Sequence, residues 1–124
     1  MTMNGGAKTW YFPDGYLPEK SKAGEMDAHE ALMLFNPGSE EANVKIDVYF
    51  ENHDPVKDIV VQVDAERVKA LRIDKPSDMG GLKIPELTQY ALRVRADKNI
   101  VVQFGRLDTT QNNMAYYTGA SYHE

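Results

Sequence analysis

The chain contains no cysteine, a single tryptophan and no apolar run longer than the five residues Ala31 to Phe35. The first absence excludes disulfides, thiolate nucleophiles and sulfur-ligated metals, and fits a reducing, cytoplasmic compartment. The short apolar runs exclude a membrane-spanning helix, which needs about 20 consecutive apolar residues. The opening Met-Thr-Met-Asn-Gly-Gly-Ala-Lys has no apolar core ahead of a small-residue cleavage site, so no export signal is expected. A long block of one charge is also missing: 19 acids and 14 bases give a net charge of −5, with the signs interspersed. Nucleic-acid binding needs a basic stripe to displace counterions from phosphate. The nearest approach to one, Arg93, Arg95 and Lys98, is interrupted by Asp97, so a nucleic-acid partner is disfavoured. There is no nucleophile elbow, phosphate-binding glycine loop or dinucleotide fingerprint, which disfavours an enzyme and gives no reason to expect a cofactor. His29, His53 and His123 are too far apart in sequence for a metal-ligand spacing.

What is present is enough for one domain with a real core. The 124 residues are 42% apolar, with seven tyrosines and four phenylalanines beside the tryptophan. A single domain is expected over 1–124, with flexible ends at about 1–7 and 121–124. Turn signals recur at Pro13-Asp14-Gly15, Pro37-Gly38, Asn52-His53-Asp54-Pro55, Pro76-Ser77-Asp78, Gly80-Gly81 and Asp97-Lys98-Asn99. Between them lie short runs rich in Val, Ile, Tyr and Phe, the pattern of an all-β sandwich or barrel. The runs predict about eight strands, at Thr9–Phe12, Glu30–Asn36, Asn43–Phe50, Ile59–Val63, Arg67–Ile73, Gln89–Arg95, Ile100–Leu107 and Ala115–Ala120. Eight strands in so short a chain favour two packed antiparallel sheets.

The clearest alternation sets Val44, Ile46, Val48 and Phe50 inward and Lys45, Asp47, Tyr49 and Glu51 toward solvent. Tyr90, Leu92 and Val94 repeat it against Ala91, Arg93 and Arg95. The run from Arg67 to Ile73 is ambiguous, and a helix over Ala65–Leu71 is the competing reading. Glu19–Ala28 and Lys75–Glu86 lack periodicity; segments of that length either bind something, as a lid does, or are surface insertions.

One strand carries an electrostatic anomaly. In Ile100-Val101-Val102-Gln103-Phe104-Gly105-Arg106-Leu107-Asp108, period-2 geometry puts Ile100, Val102, Phe104 and Arg106 on one face, so a core face ends in a guanidinium. An unpaired buried guanidinium is costly. Arg106 must therefore meet a partner such as Asp108 or line a pocket at the rim of the sheet. Trp10 and Tyr16 offer stacking surfaces, and His29 with Arg106 and Asp108 offers planar donors and acceptors, the residue types that a sugar-like ligand requires. Tyr49, Tyr116, Tyr117 and Tyr122 suit an interface instead.

Trp10 followed by Asp14-Gly15-Tyr16-Leu17-Pro18, then His29-Glu30, Asn36-Pro37-Gly38, and Ile100-Val101-Val102-Gln103 leading to Arg106-Leu107-Asp108, resembles the sensory rhodopsin transducer family from about Trp10 to Ala120. The resemblance implies a β-sandwich of jelly-roll type, a homotetramer, and a non-enzymatic domain that binds a polar small molecule or carbohydrate-like ligand. It also implies, for some members, docking to a membrane photoreceptor. Carried over by position, the ligand-binding candidates are Trp10, Tyr16, His29, Glu30, Asn36, Arg106 and Asp108.

Overall fold

The computed structural model describes residues 5–19, 28–108, 115–118 and 121–124, and is nearly all strand. In chain order the strands are β1 (Ala7–Tyr16), β2 (His29–Asn36), β3 (Ala42–Phe50), β4 (Val56–Val63), β5 (Arg67–Arg72), β6 (Gln89–Asp108), β7 (Ala115–Thr118) and β8 (Tyr122–His123). All pairings are antiparallel. Sheet I has the order β4-β3-β6-β1-β8, and sheet II is built as β5-β2-β6-β7. The fold is the β-sandwich that the spacing of turns and apolar runs predicts. The region from Arg67 is strand, not helix, with Leu71 and Ile73 buried and Val68 and Ala70 outside.

The 20-residue β6 belongs to both sheets. Its first part pairs with β3 and β1 through Tyr90, Leu92 and Val94, and its last part pairs with β2 through Val101 to Leu107. Between them the register against β1 slips: Ala7 faces Ile100, whereas Thr9 already faces Arg95. The extra residues are Ala96-Asp97-Lys98-Asn99, where the sequence predicts a turn between two strands. The turn chemistry is real, but the ladder continues around it as a bulge that lets one strand change sheets.

A second bulge, on β1, absorbs the predicted turn at Pro13-Asp14. Phe12 faces Leu92 while Gly15 faces Tyr90, so three steps on β1 match two on β6. Pro13 is tolerated there because a bulge needs no ladder donor from it. β1 therefore runs on to Tyr16, beyond the expected end at Phe12.

The core lies between the sheets. Phe12 of sheet I meets Phe104 of sheet II at 5.9 Å between ring centroids, and Tyr90 stacks on the same ring at 6.3 Å. Leu32, Leu34, Val44, Ile46, Val94 and Ile100 are completely buried. The Lys75–Glu86 segment forms a 3-10 turn at Pro76–Asp78 and buries Met79 and Ile84 in this core, so it is anchored to the sandwich. Residues 20–27 of the other aperiodic segment lie outside the described residues.

Asp47 departs from the expected pattern. It points away from the core, as alternation requires, yet its side chain is fully buried beneath Arg93 and Arg95. Arg93 Nε donates to Oδ2 at 2.8 Å, and Arg95 donates from Nε and Nη2 at 3.0 and 2.8 Å. Asp58 sits in the left-handed region at φ 62° within a bulge of β4, which delivers its backbone N–H to Asp47 Oδ1 at 2.9 Å. Arg95 Nη2 also reaches Asp58 Oδ1 at 2.7 Å. Arg93 and Arg95 are thus matched by two carboxylates, Asp47 and Asp58.

Candidate functional site

The polar end of the sandwich is assembled where β2 begins and β1, β5 and β6 finish. Glu30 is the second residue of β2, and alternation turns it inward with Leu32 and Leu34. Its carboxylate is completely buried. Directly opposite on β6 stands Arg106, whose Nε donates to Glu30 Oε2 at 2.8 Å. The Tyr90 hydroxyl, from the start of the same β6, donates to Oε1 at 2.6 Å, and the Tyr16 backbone N–H donates to Oε2 at 3.2 Å. The charge that the sequence leaves at the end of an apolar face is thus paired across the ladder with Glu30. Asp108 lies two residues further on, opposite Ala115 of β7, and its side chain lies outside the described residues.

Gly15 explains how the node closes. A Cβ at this position would drive into the Tyr90 ring, so only glycine lets the phenol lie against β1 and reach Glu30. Burial and then the Glu30 charge hold the Tyr90 phenol well above its ordinary range, so it remains a proton donor at neutral pH.

A second pair borders the node. Arg72 donates to Asp74 through Nε and Nη2 at 2.8 and 2.7 Å, a bidentate fork. Ile73 between them donates its N–H to the Glu30 carbonyl at 3.0 Å. The spacing Arg72-Ile73-Asp74 repeats that of Arg106-Leu107-Asp108, a signal visible in the sequence that points to this pair. Tyr90 carries no such signal, because alternation reads it simply as core.

Of the predicted residues, Tyr16, Glu30 and Arg106 converge here, with His29 adjacent in β2 and its outward-facing neighbours Ala31 and Met33 on the other face. Tyr16 presents an exposed ring, and the Arg106 side chain keeps 28% of its surface exposed. Trp10 and Asn36 stand elsewhere. Trp10 is six residues back along β1, roughly 20 Å at strand rise. It is buried, donates its indole N–H to the Ala7 carbonyl at 3.1 Å, and packs against the His123 ring, with centroids 4.6 Å apart and planes tilted by 30°.

Asn36 occupies the opposite end of β2. Its amide donates to the carbonyls of Glu40, Val63 and Asp64 at 2.8, 3.0 and 3.3 Å, and its Oδ1 accepts the Gly38 N–H at 3.0 Å. The amide therefore ties two turns together. A cleft of about 590 Å³ opens beside it, lined by Lys8, Gly38, Asp97 and Lys98 among others.

Chemically, the node is closed on itself, with the Glu30 carboxylate held by three donors of this chain. Both Glu30 oxygens are occupied: freeing Oε2 would strand the Arg106 guanidinium, and freeing Oε1 would leave the Tyr90 hydroxyl without its acceptor. Two carboxylates here are matched by guanidiniums, Glu30 by Arg106 and Asp74 by Arg72.

Fold and site together define a two-sheet β-sandwich domain whose one polar end is organised around a buried, paired carboxylate. The family profile described as Anabaena sensory rhodopsin transducer matches residues 5–123, and the chain belongs to the sensory rhodopsin transducer family. Among solved structures, the crystal structure of Thermotoga maritima 1070 is 34% identical, with a TM-score of 0.84 over 98% of this chain and 97% of that one. The Anabaena sensory rhodopsin transducer is 31% identical, with a TM-score of 0.73 over 86% of this chain and 92% of that one. No curated protein sequence matches. Among the described residues no helix is long and apolar enough to cross a membrane.

Proposed function

We propose that the chain is a non-enzymatic, cytoplasmic, transducer-like domain that binds a polar, uncharged small molecule of carbohydrate type at the end built by Tyr16, Glu30 and Arg106. The observation that carries this reading is the exposed remainder of Arg106, a guanidinium locked by Nε onto a fully buried carboxylate. Such a group is pre-oriented and loses little entropy when its outer edge donates to a ligand. Because Glu30 already balances its charge, a hydroxyl-rich neutral ligand suits it better than an anion. The exposed Tyr16 ring supplies a face for the ligand's C–H surface. Asp108 and His29 stand at the same end of the sheet. Binding acts by favouring one arrangement of the surrounding segments, without bond making.

Calorimetry against a panel of neutral sugars and polyols tests the proposal. Arg106→Gln is expected to weaken the best binder by about tenfold or more, since a charge-assisted hydrogen bond contributes ~1.5–3 kcal/mol. Tyr16→Ala, which keeps the backbone donor, is expected to weaken it as well. Unchanged affinity in both variants rejects the site.

A second reading, assembly and docking, is favoured by the outer face of sheet II. Val68, Phe35 and Val101 stand in one row across β5, β2 and β6 and are 65%, 43% and 38% exposed. A contiguous apolar row of this kind marks an interface. In this reading it joins copies of the chain into the homotetramer, or meets a membrane photoreceptor of the kind named for the Anabaena relative.

A further inference from the structure

Sheet II has an open edge at β5. Among the described residues β5 pairs only with β2, residue for residue from Ala31 with Arg72 to Asn36 with Arg67. One bond just beyond the strand fixes which way its backbone groups point. The Ile73 N–H donates to the Glu30 carbonyl, so by alternation Leu71, Lys69 and Arg67 also turn their N–H and C=O toward β2. Arg72, Ala70 and Val68 turn theirs outward, in the plane of the sheet. At Arg72 both outward groups are taken, the N–H by Asp78 Oδ2 at 2.9 Å and the carbonyl by the Lys75 N–H at 3.2 Å. Ala70 and Val68 each keep an N–H and a carbonyl with no backbone partner among the described residues, and the Val68 side chain is exposed beside them.

Such an edge accepts a further strand, and charge decides which strand fits. A second copy of β5 does not. Two-fold pairing of Val68 with Ala70 of the other copy sets Lys69 directly opposite Lys69. Pairing centred on Val68 sets Arg67 opposite Lys69 on both sides, and pairing centred on Ala70 sets Val68 against Arg72, whose outward groups are occupied. Like charges directly opposite destabilise a ladder. Lys69 and Arg67 are otherwise met by neutral acceptors: Lys69 Nζ donates to the Gln62 carbonyl at 2.9 Å and Arg67 Nη1 to the Glu66 carbonyl at 3.1 Å. Asp64 and Glu66 stand in the preceding turn, yet neither forms an ion pair with these two cations. The lysine that keeps copies of the chain apart thus favours a strand with a carboxylate at that place.

We propose that the β5 edge docks an extended peptide segment of a partner protein, added antiparallel as a further strand of sheet II. Its apolar residues lie opposite Val68 and Ala70, and its acidic residues opposite Arg67 and Lys69. The apolar residues continue the row of Val68, Phe35 and Val101 on the outer face. The acids fall on the other face, their Cβ atoms about 5 Å from those of the two cations.

The test titrates the full chain with the peptide acetyl-Thr-Ile-Glu-Val-Glu-Thr-amide, followed by backbone amide chemical shifts. Saturable shifts below about 10 mM, largest from Arg67 to Ala70, are expected. Replacing both glutamates by lysine is expected to weaken binding by about tenfold. Methylating the Ile and Val nitrogens of the peptide, which face the edge in this register, is expected to abolish it. In the protein, Val68→Pro removes an outward N–H that the β2 ladder does not use, and is expected to abolish binding with the circular dichroism spectrum unchanged. Lys69→Gln is expected to weaken it by about threefold. No saturable shift up to about 10 mM, shifts centred away from β5, or equal binding of the lysine or N-methylated peptide would each overturn the proposal. Shifts along β5 that grow with the concentration of the chain alone would give the edge to a second copy and overturn it likewise.

Discussion

Asp47 shows how a buried charge is made tolerable in a β-sheet. Burial alone would raise its carboxyl, but the donors from Arg95, the Asp58 backbone and Arg93 outweigh it and hold the group down at about 2. The folded value lies below the unfolded carboxylate value near 3.9. The stabilisation is therefore complete above about pH 4 and is lost as the pH falls through about 2, a span equivalent to ~2 kcal/mol. Asp47→Asn should cost about 2–4 kcal/mol in urea denaturation at pH 7 and should flatten the fall in stability between pH 4 and pH 2. A variant whose acid profile overlays that of the wild type would refute this account. The alternation of β3 correctly assigns Asp47 to the outer face but not its burial, because a period-2 pattern says nothing about long arginines on the next strand folding over it. Glu30 illustrates the converse: it was legible as a site residue only through family resemblance, since a glutamate at the start of a strand ordinarily reads as solvated.

At the scale of elements, the lesson lies in β1 and β6. Strand positions were legible wherever Val, Ile and aromatic residues alternate, as in β3 and β4. Strand ends were not legible at Pro13-Asp14 or Asp97-Lys98-Asn99, because a bulge and a turn draw on the same residues. Residues 96–99 thus read as a break between two strands at the point where the structure bends a single one. The bulge in β1 has a checkable role: it brings Gly15 against the Tyr90 ring and the Tyr16 N–H onto Glu30. Gly15→Ala should displace that ring and destabilise the domain by about 1–3 kcal/mol, as overpacking does. Gly5→Ala, where an added Cβ meets nothing within 4 Å, should stay within about 0.5 kcal/mol of the wild type. Equal costs for the two substitutions would show that the close approach is not what holds the node.

For the whole molecule, the apolar row on sheet II is the feature that a lone chain leaves unexplained. If it joins copies, sedimentation velocity should give a species well above the 14.0 kDa of one chain, and Phe35→Lys should shift it toward the monomer without unfolding it. A monomeric wild type would dismiss that interface. The β-sandwich was legible from composition and turn spacing; the face that remains apolar outside was not, because Phe35, Val68 and Val101 each read as ordinary strand residues until register sets them side by side. The Glu30 node also answers the absence of cysteine. It gathers residues 16, 30, 90 and 106 into one knot, and so closes loops of chain as a disulfide would. Unlike a disulfide, this fastening is indifferent to redox state, so a reducing milieu leaves the sandwich as firmly closed as an oxidising one.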